Sequence, residues 1–150
     1  MALNAKLDFK DLEALANDLQ ALSKAENRKV LSAATRAGAN VIRDEARKRA
    51  PRKTGKLKRN IVTMGRRSQH PNEAVSGVHI RGRNPKTGNS DNTMKASDPK
   101  NSFYWRFLEM GTSKMAARPF IRPAFEGRMS EMERAIETKL VEAIDKVLSK

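Results

Sequence analysis

Between Ala25 and Ala50, small and apolar residues return every three or four positions, through Val30, Ala34, Ala37, Val41 and Ile42. That period predicts one long amphipathic helix. Gly38 and Ala33 beside the stripe leave room for another helix to approach closely. Pro51 disfavours helical geometry at Ala50, and Arg47, Lys48 and Arg49 suit the negative end of the helix dipole. The stop is therefore well marked.

The same period predicts a first helix over Phe9 to Leu22, on Leu12, Leu15, Ala16, Leu19 and Leu22, with a break at Ser23 to Asn27. It also predicts a last helix from Pro123 to about Leu148, on Phe125, Met129, Met132, Ile136, Leu140, Ile144 and Val147. Gly127 is the weak point in that helix's first turn. Between these helices the pattern changes. Pro51 to Gly55 reads as a turn, and Asn60 to Met64 and Ala74 to Ile80 read as the two strands of a hairpin. Arg81 to Ser102 is polar and holds Gly82, Pro85, Gly88 and Pro99, so residues 82–102 are expected to form a long flexible loop. Phe103, Tyr104, Trp105 and Phe107 concentrate most of the aromatic residues, in a strand or a short helical turn. The expected architecture is α+β in a single domain, residues 1–150. Two N-terminal helices and one long C-terminal helix pack on a small antiparallel sheet that carries a long loop.

Net charge is +14, and its distribution says more than its size. Fourteen basic residues stand against two acidic between Arg28 and Arg67, while the first 26 and the last 28 residues are slightly acidic. A basic middle attracts polyanions, either nucleic acid or an acidic protein surface. The alternative is a solvated helix end and loop that serves solubility only. The chain has no cysteine, which excludes a disulfide framework and thiolate metal sites. Charges at Lys6, Asp8 and Lys10 argue against a signal peptide. No stretch approaches the ~18 to 20 apolar residues of a membrane helix, so a soluble protein with no membrane partner is expected.

Three sequence blocks carry a resemblance. Ala46 to Ala50, then Pro51, Thr54, Gly55, Lys56 and Leu57, fit an A-x-x-x-A-P-x-x-T-G-x-L pattern. Tyr104 to Thr112, with Glu109 and Gly111, resembles a Y-A-x-x-x-E-x-G-T box, with Trp105 where alanine is more usual. Arg118-Pro119-Phe120-Ile121-Arg122-Pro123-Ala124 completes the set. In this order, over about Leu12 to Leu148, the chain resembles the tail-completion or head–tail connector (neck) family of tailed phages, typified by gene product ten of phage HK ninety-seven. The resemblance implies a structural virion protein in a ring, often sixfold, at the head-proximal end of the tail. The ring would lie beside the tail terminator and head-completion proteins, with DNA passing through. Location in the virion neck or tail, after assembly in host cytoplasm, follows from it.

Arg47, Lys48, Arg49, Arg52, Lys53, Lys56, Lys58 and Arg59 are the candidate contacts to an assembly partner or polyanion. The aromatic run is expected to be core, with Trp105 the residue turned outward. Glu109 either pairs with Arg118 or Arg122 across the Gly111 turn or is a lone exposed carboxylate. No cofactor and no catalysis are expected. His70 and His79 lack carboxylate or cysteine neighbours at metal-ligand spacing, and neither Gly82–Gly88 nor Ala50–Lys56 is a true phosphate loop. A sequence-independent nucleic-acid-binding protein using residues 43–67 is the competing reading.

Overall fold

The computed structural model describes residues 13–70, 72–82 and 97–149. The elements are α1 (Glu13–Ala21), α2 (Lys24–Arg49), α3 (Lys56–Asn60), β1 (Ile61–Arg66), β2 (Val75–Ile80), α4 (Trp105–Met110), α5 (Ile121–Gly127) and α6 (Met129–Leu148). The two strands form one antiparallel sheet, so the class is α+β as expected. Residues 83–96, most of the expected loop, lie outside the described residues, as do Phe9 and Leu12 of the expected first helix.

α2 starts where its local chemistry dictates. Ser23 Oγ accepts the Glu26 N–H at 3.3 Å, and the Glu26 carboxylate accepts the Ser23 N–H at 3.1 Å and the Ser23 hydroxyl at 2.8 Å. This reciprocal box satisfies donors the helix cannot use itself, and it narrows the expected break to the Leu22–Ser23 step.

The chain's contacts fall into two compact units. The first takes the described parts of Met1–Val41, Met64–Gly77 and Met129–Lys150. Its core is Val30 and Ala34 of α2 with Leu140 and Ile144 of α6, flanked by Leu19, Leu22, Leu31, Ile136 and Val147. The small-residue stripe works as expected. A Cβ on Gly38 would sit 2.5 Å from Ile136 Cγ1 and 3.1 Å from Met132 Cγ. Only glycine therefore allows this approach of α2 and α6. Val30, Ala34 and Ile42 of the expected stripe are buried, as are Gly38 beside it and Ala39, while Ala37 and Val41 are half-buried. Thr35 Oγ1 meets Ser76 Oγ at 2.9 Å, and the Asn27 amide donates to Asn72 Oδ1 at 3.1 Å. Asn27 Oδ1 is buried and has no partner among the described residues.

The second unit takes Ile42–Thr63 and the described parts of Val78–Arg128. Ile42, Ala46, Ala50, Leu57, Ile61, Ile80, Phe120 and Ala124 are buried in it. Arg47 Nε donates to the Ile61 carbonyl at 2.9 Å, tying the end of α2 to the start of β1. The expected single C-terminal helix is two helices. Arg128 leaves helical geometry (φ −125°, ψ 18°) immediately after Gly127, and its guanidinium donates to Glu45 at 3.1 Å. Glycine's low helix propensity marks the site, and the bond to Glu45 holds the break.

Candidate functional site

Glu109, near the end of α4, is the organising residue of the second unit. Its Oε2 accepts the N–H groups of Phe120 and Ile121 at 2.8 and 3.1 Å, and its Oε1 accepts the Arg122 N–H at 3.0 Å. Those are donors of the first turn of α5, which has no side-chain cap of its own at Phe120. Neither arginine side chain is the partner and the carboxylate is not a lone exposed one, which corrects both expected alternatives. The guanidinium of Arg122 turns instead to Glu126 at 3.0 Å. A carboxylate finds three aligned N–H donors at a helix start more rewarding than one exposed guanidinium.

Gly111 makes this closure possible. Its φ is +74°, and a Cβ there would lie 2.8 Å from the Ala117 nitrogen and 3.0 Å from the Met115 carbonyl oxygen. Thr112 and Met115 form an isolated antiparallel bridge, the Thr112 hydroxyl accepts the Lys114 N–H at 3.3 Å, and the Arg118 N–H donates to the Leu108 carbonyl at 2.7 Å. The segment from Thr112 to Pro119 is exposed throughout although both its ends are tied down. Phe120 then turns fully inward, and Pro123 sits half-buried in the first turn of α5.

The aromatic run is not core. No residue of α4 is buried, Phe107 is 37% exposed and Met110 68%. Phe103 and Tyr104 meet edge to face at 5.8 Å, and the Arg106 guanidinium lies over the Trp105 ring at 5.4 Å. Trp105 is half-buried, so Phe107 and Met110 are the residues turned outward. α4 is bound on one face through Glu109 and the Leu108 carbonyl, which leaves its other face to solvent.

The first sequence block is equally concrete. Gly55 has φ +73° and precedes α3, Thr54 Oγ1 accepts the Lys56 N–H at 3.4 Å, Leu57 is buried, and Pro51 is half-buried after the α2 stop. The eight candidate cations divide. Arg47 is spent on Ile61, and Arg49 Nε donates to Glu45 at 2.8 Å. Lys56 and Lys58 are half-buried on α3. Lys48, Arg52, Lys53 and Arg59 are exposed and carry no ion pair with a described residue. Glu45 is held below the usual carboxylate range by its bond from Arg49, and further by Arg128, against the opposing effect of its burial.

Sequence reasoning missed the polar junction at the foot of the long insert. The buried Asn60 amide lies 2.9 Å from the Lys56 carbonyl, 2.8 Å from the Pro99 carbonyl and 2.8 Å from Ser102 Oγ. The Ser102 N–H donates to Arg81, and the Arg81 N–H to Asn60. A Cβ on Gly82 would come within 2.5 Å of the Phe103 nitrogen. Gly82, Asn101 and Ser102 are thus buried, although they are the ends of the segment expected to be flexible. Gly82, Asn101 and Ser102 read as loop residues and Asn60 as the start of a strand, and nothing local marks any of them as buried.

Among the described residues no three His, Asp or Glu side chains gather as metal ligands, and no helix is long and apolar enough to cross a membrane. Two open grooves of about 470 and 450 Å³ lie in the first unit; the second is lined by Leu19, Leu22, Leu31, Asn27 and Asn72. No curated protein and no solved structure matches the chain. Residues 13–111 match the family described as "Bacteriophage HK97-gp10, putative tail-component".

Proposed function

We propose that this chain, which belongs to the HK97-gp10-like family of phage tail components and so has a structural role in the tail, is the subunit of a neck or tail-completion ring that joins tail to head. Family membership is the observation that carries the reading. The geometry supports it by giving the sequence blocks a constructional purpose. Gly55 and Leu57 set the turn after α2, and Glu109 and Gly111 lock α4 to α5. Glu109 and Gly111 thereby hold the segment that displays Phe107, Met110 and Met115. Self-association in the ring and contacts to tail terminator and head-completion proteins are part of the proposal. Its place is the virion neck, with assembly in host cytoplasm.

The test is deletion of the gene from its phage with complementation in trans. DNA-filled heads and finished tails should accumulate separately and join when the protein is supplied. Infectious, joined particles without it would overturn the proposal.

The exposed cations Lys48, Arg52, Lys53 and Arg59 favour one further reading, a sequence-independent contact with nucleic acid. Tight binding of generic duplex DNA by the isolated protein, weakening steeply with salt, would make that its primary role. Weak binding would leave the cations to an acidic partner or to DNA passing through the ring.

A further inference from the structure

Among the surfaces that the described residues leave exposed, two have complementary chemistry. The first lies in the second unit, on α4 and the exposed segment after it. Phe107, Met110 and Met115 are 37%, 68% and 38% exposed. Lys114 and Arg118 belong to the same exposed segment, and have no ion pair with a described residue. Glu109 is the sole acidic residue between Asp98 and Glu126, and its carboxylate is committed to three backbone N–H groups. The surface is therefore apolar and cationic, with no carboxylate of its own to spare.

The second surface is on α6. Its inward face carries Met132, Leu140 and Ile144. Glu137, Val141, Asp145 and Leu148 follow one another at spacings of four, four and three, which puts them on one outward stripe. All four are exposed, Val141 by 39% and Leu148 by 53%, and the two carboxylates have no ion pair with a described residue. From Glu137 to Leu148 this stripe is apolar and anionic, with the exposed Arg134 one turn before it.

We infer that in the assembled ring the Phe107–Arg118 surface of one subunit docks on the Glu137–Leu148 stripe of the next copy. The inference rests on the ring reading above and names its contact. Charge decides the pairing. Two copies of the first surface would oppose lysine and arginine to themselves, and two stripes would oppose carboxylates, whereas the mixed pair matches both charge and apolar area. The basic turn at Lys48–Arg59 is a poorer mate for the stripe, because its apolar residues Ala50 and Leu57 are buried and it offers charge alone. A contact between two different surfaces is head to tail, the kind that closes into rings.

The chain has no cysteine, so engineered ones report cleanly. Met110→Cys and Val141→Cys variants, mixed under mild oxidation, should form a disulfide between copies, while either variant alone should form almost none. Charge reversal supplies an independent measure. Lys114→Glu with Arg118→Glu, or Glu137→Lys with Asp145→Lys, should each weaken self-association at least tenfold by sedimentation, with the thermal midpoint unchanged. All four substitutions in one chain should bring association back to within a few fold of the original. Dominant crosslinks within a single variant, or no recovery in the fourfold variant, would overturn the pairing. Assembly that ignores both reversals would remove this contact and leave the ring standing. A natural chain that stays monomeric at every concentration and is missing from purified joined particles would remove the ring as well.

Discussion

Replacing Glu109 with alanine strands donors at the start of α5, and the cost can be worked from the geometry. Three N–H groups lose their acceptor, those of Phe120, Ile121 and Arg122. Arg122 is exposed, so its N–H finds water and contributes little. Phe120 is fully buried and Ile121 half-buried. A stranded buried donor costs about 1 to 3 kcal/mol, and partial hydration of Ile121 trims the total to about 2 to 4 kcal/mol. Glu109→Gln keeps one acceptor oxygen but turns an NH₂ toward a donor and loses the charge, so it should cost about 1 to 2 kcal/mol. Arg122→Ala leaves all three acceptor contacts and loses only an exposed pair with Glu126, worth about 0.3 to 0.5 kcal/mol. Urea unfolding of the three variants should therefore rank them Ala, Gln and Arg122→Ala in decreasing loss. Amide exchange at residues 120 and 121 should speed up in the first two alone. An alanine variant within about 0.5 kcal/mol of the parent, or an Arg122→Ala loss equal to it, would refute the clamp.

Gly111→Ala should destabilise by about 2 kcal/mol or more in the same assay, since it adds a left-handed strain to a backbone collision, whereas Gly55→Ala, with nothing nearer than Arg59 at 3.8 Å, should cost about 1 kcal/mol. Gly38→Ala should cost about 1 to 3 kcal/mol by overpacking against Ile136, and adding Ile136→Ala should leave the double variant more stable than the sum of the two single losses predicts. Because folding lowers the Glu45 pKa, its contribution is present at neutral pH and fades as pH falls through the lowered value. Glu45→Gln should therefore flatten part of the acid limb of a stability–pH profile and leave its alkaline side alone.

Much of this molecule can be read from periodicity and from Pro and Gly. The α2 limits, the hairpin and the α6 stripe from Met132 onward follow from residue spacing, because a helix or strand buries side chains at fixed intervals whatever its partner, whereas Met129 of the expected stripe is exposed. The Gly38 approach was legible for the same reason. Three particulars were not. Glu109 reads as a carboxylate near two arginines, and only the folded chain shows the three N–H groups that meet it. The run from Phe103 to Phe107 reads as core because aromatic side chains usually are, yet Phe120 takes the buried place and α4 keeps one face outward. Gly82 and Ser102 look like loop residues and Asn60 like the start of a strand, yet the three form a buried junction.

The sequence alone determined the limits of α2, where the charge concentrates, and which family pattern the blocks match. Those properties depend on neighbours within a turn or two of chain. Tertiary structure alone decided which carboxylates are occupied and which are available, which apolar residues face water, and where the last helix breaks. Each of those depends on a partner distant in sequence, 83 residues away for Glu45 and Arg128, and a linear pattern holds no record of such a meeting.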